Sequence, residues 1–341
     1  MTLGDLGADV IKVERPGAGD ETRGWGPPFD AAGESAYFLS INRNKKSLAA
    51  DLRTPDGVRL ISELAAGADV IVENFRPGAL LRLGLDADRL IAEHPRLVWC
   101  TITGFGDGSE RPGYDVVVQA ESGWMSITGP ADGEPSKIGV ALADVIAGKD
   151  AAIAVLAALV ARERTGHGRR VTISLMHSAV ASLVNVAQNV LVTGAEARRW
   201  GNAHPNLVPY QLFDTADRPM IIAVGSDAQW VGCARALKLP ELAAAPHLAT
   251  NAGRVAHRDE VVAALSARLV TRKAAEWRDR LGTHGVPSGL VCSVREALDA
   301  LGGASARTGV PPAVPGTVRL PPPKLDEHGP EIRSRGWAAF A

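Results

Sequence analysis

Three short apolar, β-branched runs alternate with two amphipathic stretches over the first hundred residues, and this constrains the fold more than any other feature. Gly7–Glu14 reads as a strand closed by Arg15-Pro16-Gly17. Asp56–Ala66 has helical spacing at Val58, Leu60, Ile61 and Leu64, stops at Gly67, and feeds the β-rich run Asp69–Glu73. Leu80–His94 is again helical, and Arg96–Ile102 is a third strand. Strand, helix, strand, helix, strand at these intervals implies right-handed crossovers and a buried, largely parallel sheet, so this half reads as doubly wound α/β.

Further along, Asp150–Arg164 is Ala-rich and apolar nearly all round, and therefore expected to be buried, with a strand at Arg169–Leu175 after it. Ser178–Leu191 reads as a second buried helix. From Pro209 a new α+β pattern starts, with a strand at Met220–Val224, helices at Asp227–Leu237, Arg258–Leu269 and Ala274–His284, and a closing strand up to Val294. Beyond Gly309 a run of prolines marks an extended tail that must lie along a surface, because it cannot build its own core. The expected division is residues 1–208, 209–300 and a tail, 301–341, returning to the first domain.

Several functions are disfavoured at once. A net charge of −1 gives no field to draw the chain onto a phosphate backbone, so no nucleic-acid partner is expected. No stretch approaches the roughly 18 apolar residues of a membrane span, and Met1–Asp5 has no signal-peptide pattern, so no membrane partner is expected either. Cys100, Cys233 and Cys292 form neither a Cys-x-x-Cys nor a zinc-ligand spacing, which points to no metal and to a reducing, cytoplasmic setting. P-loop, zincin and nucleophile-elbow motifs are absent, and Gly104-Phe105-Gly106-Asp107-Gly108 follows a strand without opening a helix, so it reads as a turn rather than a dinucleotide fingerprint.

Asp144 is the only charge in the run Ile138–Gly148, just ahead of the long helix. Desolvation raises such a carboxyl's pKa, whereas a helix N-terminus favours its anion, and the residue reads either as an N-cap or as a nucleophile or base. Tyr114-Asp115 after Pro112-Gly113 reads as a turn with an aromatic anchor or as part of a site. Arg15, Arg53 and Arg82 lie at strand ends or helix flanks, where a guanidinium takes a phosphate or simply stays solvated.

Taken together, several blocks resemble the class III CoA-transferases, relatives of formyl-CoA transferase, carnitine CoA-transferase and α-methylacyl-CoA racemase. They are Leu6–Pro16, Asn42–Ser47 with Asp51-Leu52, Val72–Gly78 running to Arg82-Leu83-Gly84, Gly113-Tyr114-Asp115, the Asp144 segment, Arg162–Gly168, His204-Pro205-Asn206 with Pro209-Tyr210, and Asn251–Val255. The resemblance implies a CoA-transferase working through an aspartyl anhydride and an aspartyl-CoA thioester, with Asp144 as nucleophile and Gly139 and Gly148 leaving room for backbone N–H groups near an oxyanion. It implies CoA contacts at Arg15, Arg53, Asn74, Phe75 and Arg82, with supporting roles for Tyr114 and Asp115. An acyl-CoA donor and a carboxylic acid acceptor are the implied substrates, with no permanently bound cofactor.

The implied fold is a Rossmann-like large domain with a smaller α+β domain, assembled as an interlocked homodimer. Because the family's first strand precedes the helix in which Met1 falls, the large domain is expected to lack that strand. The racemase branch carries a histidine where this chain has Tyr114, and a phenol with a pKa near 10 is a poor base at neutral pH, so transfer outranks racemisation or epimerisation. A non-catalytic acyl-CoA-binding paralogue is the third reading. The short interval from Tyr210 to Met220 leaves no room for formyl-CoA transferase's Gly-rich loop, so oxalate and formate are not specifically implied.

Overall fold

Parallel pairing starts where the sequence first turns β-rich. In a computed structural model describing residues 1–341, β1 (Ile11–Glu14) pairs in parallel with β2 (Lys46–Ala49), Ile11 opposite Lys46 and Glu14 opposite Ala49. A second parallel sheet has the order β3 (Val70–Glu73), β4 (Val98–Thr103), β5 (Arg170–Ser174). The chain is thus mixed α/β with parallel strands and helical crossovers, but those strands lie in two sheets. Val98, Trp99 and Cys100 of the central strand are buried, as a strand flanked on both edges and covered on both faces requires.

The helix Pro55–Ala66 forms where the spacing predicts it, and its start is explained locally. Thr54 Oγ1 accepts the Gly57 amide at 3.1 Å and Pro55 occupies the first turn, where a missing N–H costs nothing. The single helix expected over 80–94 is instead two, Ala79–Arg82 and Ala87–Glu93. Gly84, at φ +89°, ends the first, and Asp86 restarts the chain by accepting the Asp88 amide at 2.9 Å. The helix expected over 178–191 is likewise divided, into Leu175–Ala181 and Val184–Thr193, the second opening at Val184 with φ +37°.

The long helix, Leu142–Thr165, begins eight residues earlier than expected, and its apolar surface is not all buried. Ala143, Ala147, Ala151 and Val155 pack inward, whereas Val145, Ile153, Leu156 and Val160 are exposed, Ile153 at 65% and Val160 at 67%. Val184–Thr193 buries none of its residues and leaves Leu191 exposed. For both helices the expectation of burial fails on the single chain, because composition reports how apolar a face is and not what covers it. No single helix is long and apolar enough to cross a membrane.

Two compact units emerge: Met1–Trp124 with Ile138–Gln188 and Leu298–Ala341, and Met125–Lys137 with Asn189–Ala297. The second holds the antiparallel sheet β6 (Tyr210–Phe213), β7 (Met220–Ala223), β8 (Ser288–Leu290) around a core of Trp230, Trp277, Met220, Ile222, Leu237 and Leu265. Trp277 satisfies its indole N–H on the Leu269 carbonyl at 2.7 Å. In the first unit, Asn44 holds the Pro-rich tail. Its Oδ1 accepts the Leu320 amide at 2.9 Å and its Nδ2 donates to the Thr317 carbonyl at 2.8 Å. Beside it Arg43, buried against Asp5 at 2.7 Å, donates to the carbonyls of Thr308 and Val310.

Candidate functional site

The site begins at the carboxyl end of β4. There Gly104 meets Gly113 backbone to backbone, so closely that a Cβ on Gly104 would stand 2.4 Å from the Gly113 Cα. Only glycine at both positions closes this neck, and Tyr114 and Asp115 follow directly from it. Asp115 opens the short helix Asp115–Glu121 and turns its carboxylate toward the start of the long helix. Its Oδ1 accepts the Ala143 amide at 2.8 Å and the Asp144 amide at 3.4 Å, and its Oδ2 accepts from Gln119 Nε2 at 2.6 Å.

The capping alternative for Asp144 is thereby overturned: the cap comes from Asp115, on another helix. Asp144 sits in the first turn of the long helix with its carboxylate free of that duty. Nor is it enclosed, for on the single chain it is exposed. Its carboxyl is nonetheless raised from 3.8 to about 6, first by desolvation and then by the charge of Asp115, which together outweigh the helix N-terminus. Tyr37 shares this neighbourhood; burial, then Asp144, then Asp115 push its phenol upward. Trp25 stacks edge-on against Tyr37 with centroids 5.0 Å apart.

Gly148 lies one turn beyond Asp144 on the same face, and neither it nor Gly139 would bring an added Cβ within 4 Å of other atoms. Both face open space. Tyr114 is 58% exposed. Tyr37 and Gln119 were not picked out from the sequence. The signal for Gln119 was its position four residues after Asp115, a spacing that joins side chains across one helical turn. Tyr37 carried no such signal.

Four of the five expected CoA contacts follow the carboxyl ends of parallel strands, where open α/β sheets take ligands. Arg15 follows β1, Arg53 comes shortly after β2, and Asn74 and Phe75 follow β3; Arg82 lies on the next helix, and all five are exposed. Glu73 fixes this last turn, accepting the Phe75 amide at 2.8 Å and the Thr101 hydroxyl at 2.6 Å. Arg53 forms a bidentate pair with Asp51, which holds that carboxyl at about 2, and Arg15 lies 3.8 Å from Glu21. The structure joins Asp144, Asp115, Gln119 and Tyr37 in one cluster and spreads the five CoA candidates over the ends of β1, β2 and β3 and the helix Ala79–Arg82. No group of three His, Cys, Asp or Glu side chains is placed to hold a metal ion.

Comparison with known proteins gives consistent matches. The family model for CoA-transferase family III matches residues 1–309. Succinyl-CoA:glutarate CoA-transferase of Mus musculus is 47% identical over 301 residues, spanning 87% of this chain and 69% of that protein. The succinate–glutarate CoA-transferase of Agrobacterium fabrum is 42% identical over 307 residues, spanning 86% of this chain and 76% of its own. Among solved structures, a CAIB/BAIF family protein from Brucella suis aligns with a TM-score of 0.85 at 43% identity, covering 98% of this chain and 93% of that one.

Proposed function

The chain belongs to CoA-transferase family III and is a CoA-transferase, and on that footing we propose that Asp144 is the carboxylate through which CoA passes from an acyl-CoA to a free carboxylic acid. The supporting observation is a carboxyl at about 6, held beside a helix start that Asp115 already caps. Such a group is ionised at neutral pH, open to an incoming thioester, and not spent on the fold.

In the proposed cycle the Asp144 carboxylate attacks the donor's thioester carbonyl. The C–S bond breaks, leaving a mixed anhydride and CoA thiolate. The thiolate attacks the aspartyl carbonyl of that anhydride, forming an aspartyl-CoA thioester and releasing the donor acid as its carboxylate. The acceptor carboxylate then attacks this thioester, forming a second anhydride and freeing the thiolate again. Attack of the thiolate on the acceptor's acyl carbon gives the new acyl-CoA and restores Asp144. Every step exchanges one acyl bond for another, and no redox partner is needed.

Arg15, Arg53 and Arg82 would neutralise the phosphates of CoA, and Phe75 offers a flat exposed face to an adenine ring. The two named relatives act on succinate or succinyl-CoA and on glutarate, which supports short dicarboxylic acids as donor and acceptor. Tyr114, where a racemase carries histidine, does not favour α-proton abstraction. The exposed stripe Val145, Ile153, Leu156 and Val160 supports assembly as an interlocked pair of chains in which a second copy covers the long helix. Transfer of labelled CoA from succinyl-CoA to glutarate, with mass-spectrometric detection of an adduct on Asp144, tests the reading. Undiminished transfer by Asp144→Ala overturns it.

A further inference from the structure

Gln119 is fully buried and spends its whole amide on the approach to Asp144. Its Oε1 accepts the Ile138 amide at 2.8 Å, and its Nε2 donates to Asp115 Oδ2 at 2.6 Å and to the Val140 carbonyl at 3.2 Å. The orientation follows from the partners, because a backbone N–H faces one end of the amide while a carbonyl and a carboxylate face the other. One side chain therefore fixes both sides of the site. It holds the segment 138–140, which leads into the long helix, and it holds the Asp115 oxygen opposite to the one that caps that helix.

We infer that Gln119 is a positioning residue for CoA transfer, setting the place of Asp144 by locking Asp115 and residues 138–140 to each other. This rests on the reading of Asp144 as the nucleophile. Gln119 touches no reacting atom; it acts through Asp115, whose oxygen meets the Ala143 and Asp144 amides. If the lock is removed, Asp115 loses one of its donors and is free to rotate away from the helix start. Two effects follow. The nucleophile loses its fixed position, and the negative charge that helps to raise its pKa moves off.

The experiment compares Gln119→Met, Gln119→Glu and Asp144→Asn in the full chain, with succinyl-CoA and glutarate, from pH 5 to 9. Thermal unfolding and CoA affinity are measured alongside. For Gln119→Met the expected result is a kcat lower by roughly ten- to a hundred-fold. CoA affinity is retained, and the acid limb of the rate profile moves below the wild-type position. Space-filling alone would not move that limb.

Gln119→Glu preserves the shape but sets a carboxylate against the Asp115 oxygen and the Val140 carbonyl. Protonation of the new carboxyl restores one donor, so its deficit relative to wild type shrinks as the pH falls and grows as it rises. Asp115, Asp144 and Tyr37 titrate around this arrangement, and each keeps its identity in both Gln119 variants. An inactive Asp144→Asn with a wild-type rate and profile in Gln119→Met overturns the inference and leaves the nucleophile in place. A fully active Asp144→Asn overturns both. Should Gln119→Met fail to fold, Gln119→Glu decides alone, since a deficit that ignores pH, or no deficit, overturns the inference.

Discussion

Asp115 and Asp144 meet at one helix start, and only Asp115 serves it: its Oδ1 takes the Ala143 amide at 2.8 Å, while the Asp144 carboxylate stands one residue further on with its pKa raised. Asp115→Asn keeps an oxygen for the cap and removes the charge. The acid limb of kcat/KM is expected to move from near 6 toward the ordinary carboxylate value of 3.8, read from rate profiles at fixed ionic strength. Asp115→Ala additionally loses the cap, at a cost of about 1 kcal/mol in denaturant unfolding.

The sign for Asp144 itself runs against most surface acids. Its folded pKa lies above the unfolded one, so the folded chain binds that proton more tightly and the carboxyl's favourable contribution is complete only below about 3.8, disappearing as the pH rises through 6. Asp144→Asn should therefore raise the unfolding temperature at pH 7–8 and leave it unchanged near pH 3. A variant that is inactive yet more stable at neutral pH marks a carboxylate retained for chemistry.

Gly104→Ala places a methyl 2.4 Å from the Gly113 Cα, where only backbone can yield. A loss of about 1–3 kcal/mol is expected from urea unfolding. Transfer activity should fall further than stability explains, because Tyr114 and Asp115 hang directly from that contact.

In the tail clamp, Asp5→Ala leaves the Arg43 guanidinium buried without its counter-charge. Removing one member of such a pair costs about 3–5 kcal/mol. Arg43 also holds the carbonyls of Thr308 and Val310, so limited proteolysis between residues 303 and 318 should accelerate in parallel with the drop in the unfolding midpoint.

Ile153→Asp, at a position 65% exposed on one chain, tests the proposed pairing. A second copy lying over this stripe would have to bury the new charge. Sedimentation should then report a shift from the two-chain mass toward the single chain.

The sequence disclosed much of the fold, because alternation and punctuation are local. The helix at 55–66 and the strands β3 and β4 fall within one or two residues of their expected positions. The splits at Gly84 and Val184 escaped notice, since an apolar period continues through a break that only backbone geometry creates. β2 and β6, each four residues long, carry too few alternations to stand out. At the site, Asp144 was visible as a charge in an apolar run, but the origin of its cap was not. Asp115 lies 29 residues away, and nothing in spacing indicates which of two carboxylates a helix start will take. The exposed side of the long helix was equally hidden, because apolar character is the same whether the covering surface belongs to this chain or to another.

The crossing of Gly104 over Gly113 closes the base of the loop between them. Residues 105–112 hang from a pinch that already fixes where the chain resumes, so the place of Asp115 is set at the neck itself. A loop tied off at its base in this way leaves the carboxylate beyond it anchored by backbone contact rather than by the loop's own side chains.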